Sequence, residues 1–276
     1  MEIAVAEQGV FILPAKLTPE QAKEKAWEQK LNVFGTLSKV FKRPKSEEIQ
    51  VRPLELRFQP FWYAASHKRF RYNRRAQYQV SVTGDVQSVE IAGQTYTPSG
   101  QRFVLPAVDH CLFEEQREIF VDALTGESLD LRRYLPFDRV AVVDGQSFPA
   151  DVAAVSPEVR ASAVVRQVLG DVLHPPTADH VLEEVVVVDR LDLYYRPVYA
   201  FECAWAAQGK RNTIEVDGLT GEFKPMGKAF GPQLRKVLNR EVLFDVGAET
   251  LGLVVPGGGI VVKLTKAVID GRASKG

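Results

Sequence analysis

Cysteine and histidine are scarce in this chain, with two Cys and four His in 276 residues. Cys111 and Cys203 sit beside aromatic and aliphatic neighbours, in C-L-F and E-C-A-W. They read as buried free thiols rather than a disulfide scaffold, which favours a reducing compartment. The one close meeting of ligand types is Asp109, His110 and Cys111, with His67, His174 and His180 scattered elsewhere. Zinc sites need closely spaced pairs of Cys or His, and none is present, so no metal is expected. An excess of either charge is missing as well, since Lys+Arg and Asp+Glu are 35 each. That balance excludes a global field recruiting nucleic acid or an anionic membrane. Long apolar runs are absent. The longest candidate, L-G-L-V-V-P-G-G-G-I-V-V, is broken by Pro256 and three glycines, short of the ~20 residues of a membrane-spanning helix. The opening M-E-I-A-V-A-E-Q lacks the basic and apolar regions of a secretion signal, so a cytoplasmic location is expected. G-x-S-x-G, the P-loop and a helix-opening G-x-G-x-x-G are also lacking, so neither a catalytic centre nor a cofactor is expected.

What is present is repetition. L-E-L-R-F-Q-P-F-W at 54–62 returns as L-D-L-Y-Y-R-P-V-Y at 191–199, and V-D-A-L-T-G-E at 121 returns as V-D-G-L-T-G-E at 216. T-P-E at 18–20 matches S-P-E at 156–158 in the same order. A hydrophobic content of 45% with 25% charged residues supplies a substantial core. The division read from the repeat is a first unit over 1–150, a second over 151–230, and a helical, apolar extension over 231–276.

Thr18, Pro19 and Gln21 supply an N-cap, an N1 proline and a capping-box partner for a helix over 19–34. Ala22, Ala26, Leu31 and Phe34 form its inner stripe, with Trp27 at the margin and Gly35 as the stop. The matching helix is expected from Pro157, capped by Ser156, with Val159, Ala163, Val164, Val168 and Val172 inward. The aromatic segments alternate with period 2. Leu54, Leu56, Phe58, Pro60 and Trp62 oppose Glu55, Arg57 and Gln59, while Leu191, Leu193, Tyr195, Pro197, Tyr199, Phe201, Cys203 and Trp205 oppose Asp192, Arg196 and Glu202. Pro60 and Pro197 lack a ladder donor and read as a bulge, an edge or a break. A-A-Q-G-K-R reads as a hairpin turn, and each D-x-L-T-G-E as a turn in which Asp bonds nearby backbone and Gly takes positive φ. From strand motif to turn motif the first copy runs 67 residues against 25 in the second, an excess of 42. This insertion, about 72–114, alternates like a small all-β excursion.

The order of Ser/Thr-Pro-Glu helix start, aromatic strand, hairpin and V-D-x-L-T-G-E resembles the PepSY domain family. The likeness is carried best by 216–222 and its repeat at 121–127, with P-V-Y-A-F-E at 197, and covers 18–62 plus 115–130 and 156–225. The resemblance implies an α+β fold, two repeats of a helix packed on an antiparallel sheet with a β insertion in the first. It also implies a noncatalytic interaction or inhibitory module rather than an enzyme.

The expected function is therefore a noncatalytic, cytoplasmic protein- or peptide-binding adaptor that uses aromatic strand faces, with Trp62, Tyr63, Tyr195 and Tyr199 as candidate contacts. The apolar C-terminal segment, including Leu251, Val254, Val255, Ile260, Val261 and Leu264, completes the core or forms a homo-oligomer interface. A different class of function is carried by H-K-R-F-R-Y-N-R-R at 67–75. Lys68, Arg69, Arg71, Arg74 and Arg75 interleave with Phe70 and Tyr72 as in a groove for single-stranded nucleic acid. The plainer reading is a solvated segment paired with E-E-Q-R-E near Glu114.

Overall fold

The computed structural model describes residues 2–34, 45–142, 148, 152–172, 177–226 and 261–265. Two α-helices and twelve strands occur among them. In chain order they are β1 (Glu2–Ala6), β2 (Gly9–Ile12), α1 (Pro19–Gln29), β3 (Ile49–Ser81), β4 (Val89–Ile91), β5 (Gln94–Tyr96) and β6 (Arg102–Asp122). There follow β7 (Val140–Ala141), β8 (Ala153–Ala154), α2 (Ala161–Val172), β9 (His180–Trp205), β10 (Lys210–Asp217), β11 (Phe223–Met226) and β12 (Val261–Thr265). The protein is mostly β. Ten of the strands join one mixed sheet, and β4 with β5 forms a separate hairpin.

This corrects the expected α+β arrangement of two helix-on-sheet repeats. The two aromatic segments do not found separate sheets; they pair with each other. β3 and β9 run antiparallel from Ile49 opposite Trp205 to Asn73 opposite His180. Gln59 and Arg196, equivalent residues of the sequence repeat, are direct cross-strand partners, so the matched segments meet head to head about this pair. Around them the surroundings are alike. β9 carries β2 in parallel over 192–195 and β10 antiparallel from Val198 onward. β3 carries β8 in parallel at Arg57 and Phe58 and β6 antiparallel from Phe61 onward. A helix follows each short parallel strand.

The expected alternation holds along β9. Tyr195, Leu193 and Leu191 join Phe58 and Trp62 in a core under α2, whose Ala161, Val164, Val165, Val168 and Leu169 are buried there. Tyr199, Phe201, Cys203 and Trp205 join Ala22 and Ala26 of α1 in a second core. These residues share one strand parity, so both helices cover the same sheet face. On the other face Phe61, Tyr63 and Tyr194 pack with Leu13, Phe120, Leu131, Tyr134 and Leu219.

Local chemistry explains the element ends. The Thr18 capping box forms as read, with Gln21 N donating to Thr18 Oγ1 at 3.3 Å and Thr18 N to Gln21 Oε1 at 2.9 Å. α1 ends at Gln29, and a 3-10 turn over Asn32–Phe34 continues its path and buries Phe34. Gly35 lies outside the described residues. α2 starts at Ala161 rather than Pro157, and the residues before it are anchored to the turn after β6, where Glu158 N and Val159 N donate to Ala123 O at 2.8 and 2.9 Å. The later start turns Ala163 outward.

Neither repeated proline makes a bulge. Pro60 stays in register opposite Tyr195, and Pro197 opposite Phe58; the irregularities lie at Pro53/Glu55, Ala65/Ser66 and Arg71/Tyr72. The carbonyls of Pro60 and Pro197 accept from Ala123 N at 3.3 Å and Gly218 N at 2.8 Å. Both prolines therefore face the junction where a parallel neighbour ends and an antiparallel one begins, a place that asks for no N–H donor.

The insertion is all-β, as read. β3 and β6 form a long hairpin from Phe61 opposite Asp122 to Ser81 opposite Arg102, with β4 and β5 at its tip. Because β9 stops at His180 opposite Asn73, the last part of β3 and the first of β6 continue as a two-stranded arm. Of the C-terminal extension only β12 is described, parallel to β1. The helical part expected in this extension and the rest of its apolar segment lie outside the described residues. No described helix is long and apolar enough to cross a membrane.

Candidate functional site

The four aromatic residues expected at a partner surface are all buried. Trp62 and Tyr195 lie under α2, with Trp62 Nε1 donating to Val159 O at 2.8 Å. Tyr199 lies under α1 and donates to Leu17 O at 2.8 Å. Tyr63 lies on the opposite face and donates to Glu118 Oε1 at 3.0 Å. Alternation assigns side chains to faces, but both faces of this part of the sheet are covered, so these rings are core and offer a partner no surface. Burial alone raises the Tyr195 pKa. For Tyr63, burial and then the Glu118 hydrogen bond push it up to about 12.

The basic segment lies within β3, where strand parity separates its two chemistries. Lys68, Phe70 and Tyr72 are buried on one side. On the other, Arg69 pairs with Glu114 at 3.6 Å, Arg71 with Glu183 at 3.5 Å and His67 with Asp189 at 2.8 Å. Further along, Arg74 pairs with Asp109 at 2.9 Å, and Arg75 N donates to Asp179 at 2.6 Å. Arg69, Arg71 and Arg74 meet acids on neighbouring strands, while the two aromatic rings pack inward, away from any base that Arg69 and Arg71 would bring. Asp109, His110 and Cys111 point to different partners: Asp109 accepts from Arg74 and Tyr78, and His110 bonds Asn73. No group of three potential metal ligands occurs among the described residues. Both cysteines are free thiols, and burial pushes Cys203 up to about 11.

Two surfaces remain. The first is an aromatic stack on the face opposite the helices. Phe11 stacks on Tyr194 at 5.3 Å, Tyr194 on Phe61 at 5.4 Å, and Phe61 leans on Tyr134 at 5.6 Å. Arginines cap it: Arg139 lies 5.1 Å over Phe11, Arg190 5.1 Å over Tyr63, and Arg196 5.5 Å over Tyr134. At the Gln59–Arg196 centre, Arg196 reaches Gln59 Oε1 at 3.1 Å, Asp217 Oδ2 at 3.0 Å and the Tyr134 hydroxyl at 2.8 Å. Tyr134 in turn donates to Asp217 Oδ2 at 2.6 Å. The other oxygen of Asp217 accepts Leu219 N and Thr220 N, both at 2.9 Å. Asp217 therefore ties the turn to the centre of the sheet. The sequence marked Asp217 as a turn residue; that Tyr134 would reach it carried no local signal.

The second surface is the arm. Tyr78, Ile91, Val104, Val108, Leu112 and Phe113 are large apolar residues exposed on it or at its base. Val104, Val108 and Leu112 share one strand parity and span about 26 Å at strand rise. Val108 also borders a shallow hollow with Arg75, Ala76, Gln77, Pro106 and Ala107. β6 pairs only with β3 among the described strands; its outer edge meets Ser128 and Leu129 near Phe120 and Val121, and along the arm it has no strand partner among the described residues. No family model, curated protein or solved structure matches the chain.

Proposed function

We propose that the protein is a noncatalytic, cytoplasmic adaptor that binds an extended segment of a partner protein along the outer edge of β6. The observation that carries this reading is the coincidence of an unpaired strand edge with an exposed apolar row, Val104, Val108 and Leu112. An edge strand recognises a partner by main-chain hydrogen bonds, and alternate side chains supply the selectivity. Pro106 interrupts the run of donors on this strand, a feature that restrains indiscriminate pairing between edges. The kinship suggested by the D-x-L-T-G-E turns, that of PepSY interaction modules, agrees with a binding role. The site itself moves from the buried aromatic strand faces to the arm.

The reading is tested with a Val108→Glu, Leu112→Glu double variant, whose changes are exposed and leave the cores intact. Its circular dichroism and melting temperature are expected to match the parent. A partner captured reproducibly by the parent is expected to be lost. Retention of that partner by a folded double variant removes the arm from the binding site.

A further inference from the structure

We propose that Arg139 and Arg190, held side by side on the Tyr194 hydroxyl, form a binding site for a carboxylate, separate from the arm. Two guanidinium groups converge on one buried phenol oxygen: Arg139 Nη1 lies 3.0 Å from Tyr194 Oη, and Arg190 Nη2 lies 3.1 Å from it. Those nitrogens are therefore no more than about 6 Å apart, and each guanidinium keeps N–H groups beyond those spent on Tyr194 and Asp192, enough for one planar oxyanion to receive a donor from each arginine. The two side chains come from distant parts of the chain, Arg190 from β9 and Arg139 from the segment before β7.

The residues around them fix this geometry. Tyr194 is 1% exposed, and its ring is held between Phe11 and Phe61. Tyr194 Oη also donates to Asp192 Oδ2 at 3.3 Å, and the same carboxylate oxygen receives Arg190. Asp192 reaches this position because β2 passes close by at Gly9, where an added Cβ would stand 2.7 Å from Asp192 Oδ1. Arg139 is steadied by the face of Phe11.

Charge selects the ligand. Asp192 answers Arg190, whereas no described carboxylate pairs with Arg139. The adjacent Asp138 is taken by Lys16 at 2.8 Å. Among the described residues one positive charge is left unmatched, which suits a monoanion better than a dianion, and a guanidinium fork suits the plane of a carboxylate. Arg139 is exposed and the Arg190 side chain is 37% exposed, so both side chains are reached by solvent.

The test follows the arginine Nε–Hε resonances of the full chain while sodium acetate replaces sodium chloride at constant ionic strength. Arg139 and Arg190 are expected to shift together and to saturate, with Arg166 on α2 unmoved as a control. Arg139→Gln is expected to weaken the Arg190 titration at least ~10-fold with the fold retained, and Arg139→Lys to recover part of it because charge returns without the fork. Linear, non-saturating shifts, an unchanged titration in Arg139→Gln, or tighter binding of inorganic phosphate than of acetate would each overturn the assignment. Because Val108 and Leu112 lie elsewhere, the double variant at the arm is expected to bind acetate normally, so failure at either site is read separately.

Discussion

Single residues decide the twin turns. Asp122 and Asp217 each accept two backbone N–H groups from the residues that follow, and Gly126 and Gly221 adopt φ of 79° and 73°. This detail was legible because turn chemistry is local: a short acceptor and a glycine at fixed spacing need nothing from the rest of the chain. Gly221→Val is expected to destabilise by about 1–3 kcal/mol in chemical denaturation. Gly170 is the contrast, lying in α2 with open space where a Cβ would go. Gly170→Ala is expected to stabilise by about 0.5–1 kcal/mol. Tyr63 gives a pH dependence. Its pKa is raised in the folded protein to about 12, so its contribution is fully present below the unfolded value near 10 and is lost as pH rises from there towards 12. Absorbance at alkaline pH is expected to show buried tyrosines resisting ionisation until the protein unfolds. A single titration centred near 10 would place these hydroxyls in water.

Elements were legible to the extent that their signals were local. The α1 capping box and the hairpin at Gly209, which takes φ of 60°, follow from neighbours in sequence. The start of α2 does not, since the segment before it is anchored to a remote turn, with Glu158 N and Val159 N donating to Ala123 O. For Pro60 and Pro197 the sequence left a bulge, an edge or a break open: which of them holds depends on the neighbour beside the proline, and only the sheet order shows that both face a junction. The arm makes a prediction at this scale. Its tip hairpin pairs only with itself, while Ser81 and Arg102 close the long ladder. Replacing residues 82–101 with Asn-Gly, a two-residue turn suited to that closure, is expected to leave the melting temperature within about 4 °C of the parent, a change of less than ~1–2 kcal/mol for a chain of this size. A larger fall would mean that the tip supports the cores.

At the scale of the molecule, repetition was visible in the sequence but its consequence was not. Matched segments imply similar local structure, and they are equally compatible with two separate sheets or with one sheet in which the copies pair. The second is found, with Gln59 and Arg196 at the meeting point and acids, tyrosine and arginine closing a network around them. Joining the copies covers both faces of the central strands, which is why the aromatic residues that suggested a binding surface are core, while an exposed apolar row lies on the arm. The same geometry turns the basic segment into a strand on which Arg69, Arg71 and Arg74 are matched by acids. The central claim is that the arm is where a partner docks. It is tested most directly by placing a photo-crosslinking residue at Val108 or at Leu112, with Trp27, an exposed aromatic residue on α1, as the control position, and irradiating cells that express each form. A discrete crosslinked protein from both arm positions and not from position 27 is the expected result. Crosslinks from position 27 alone, or none from either arm position, would contradict the account.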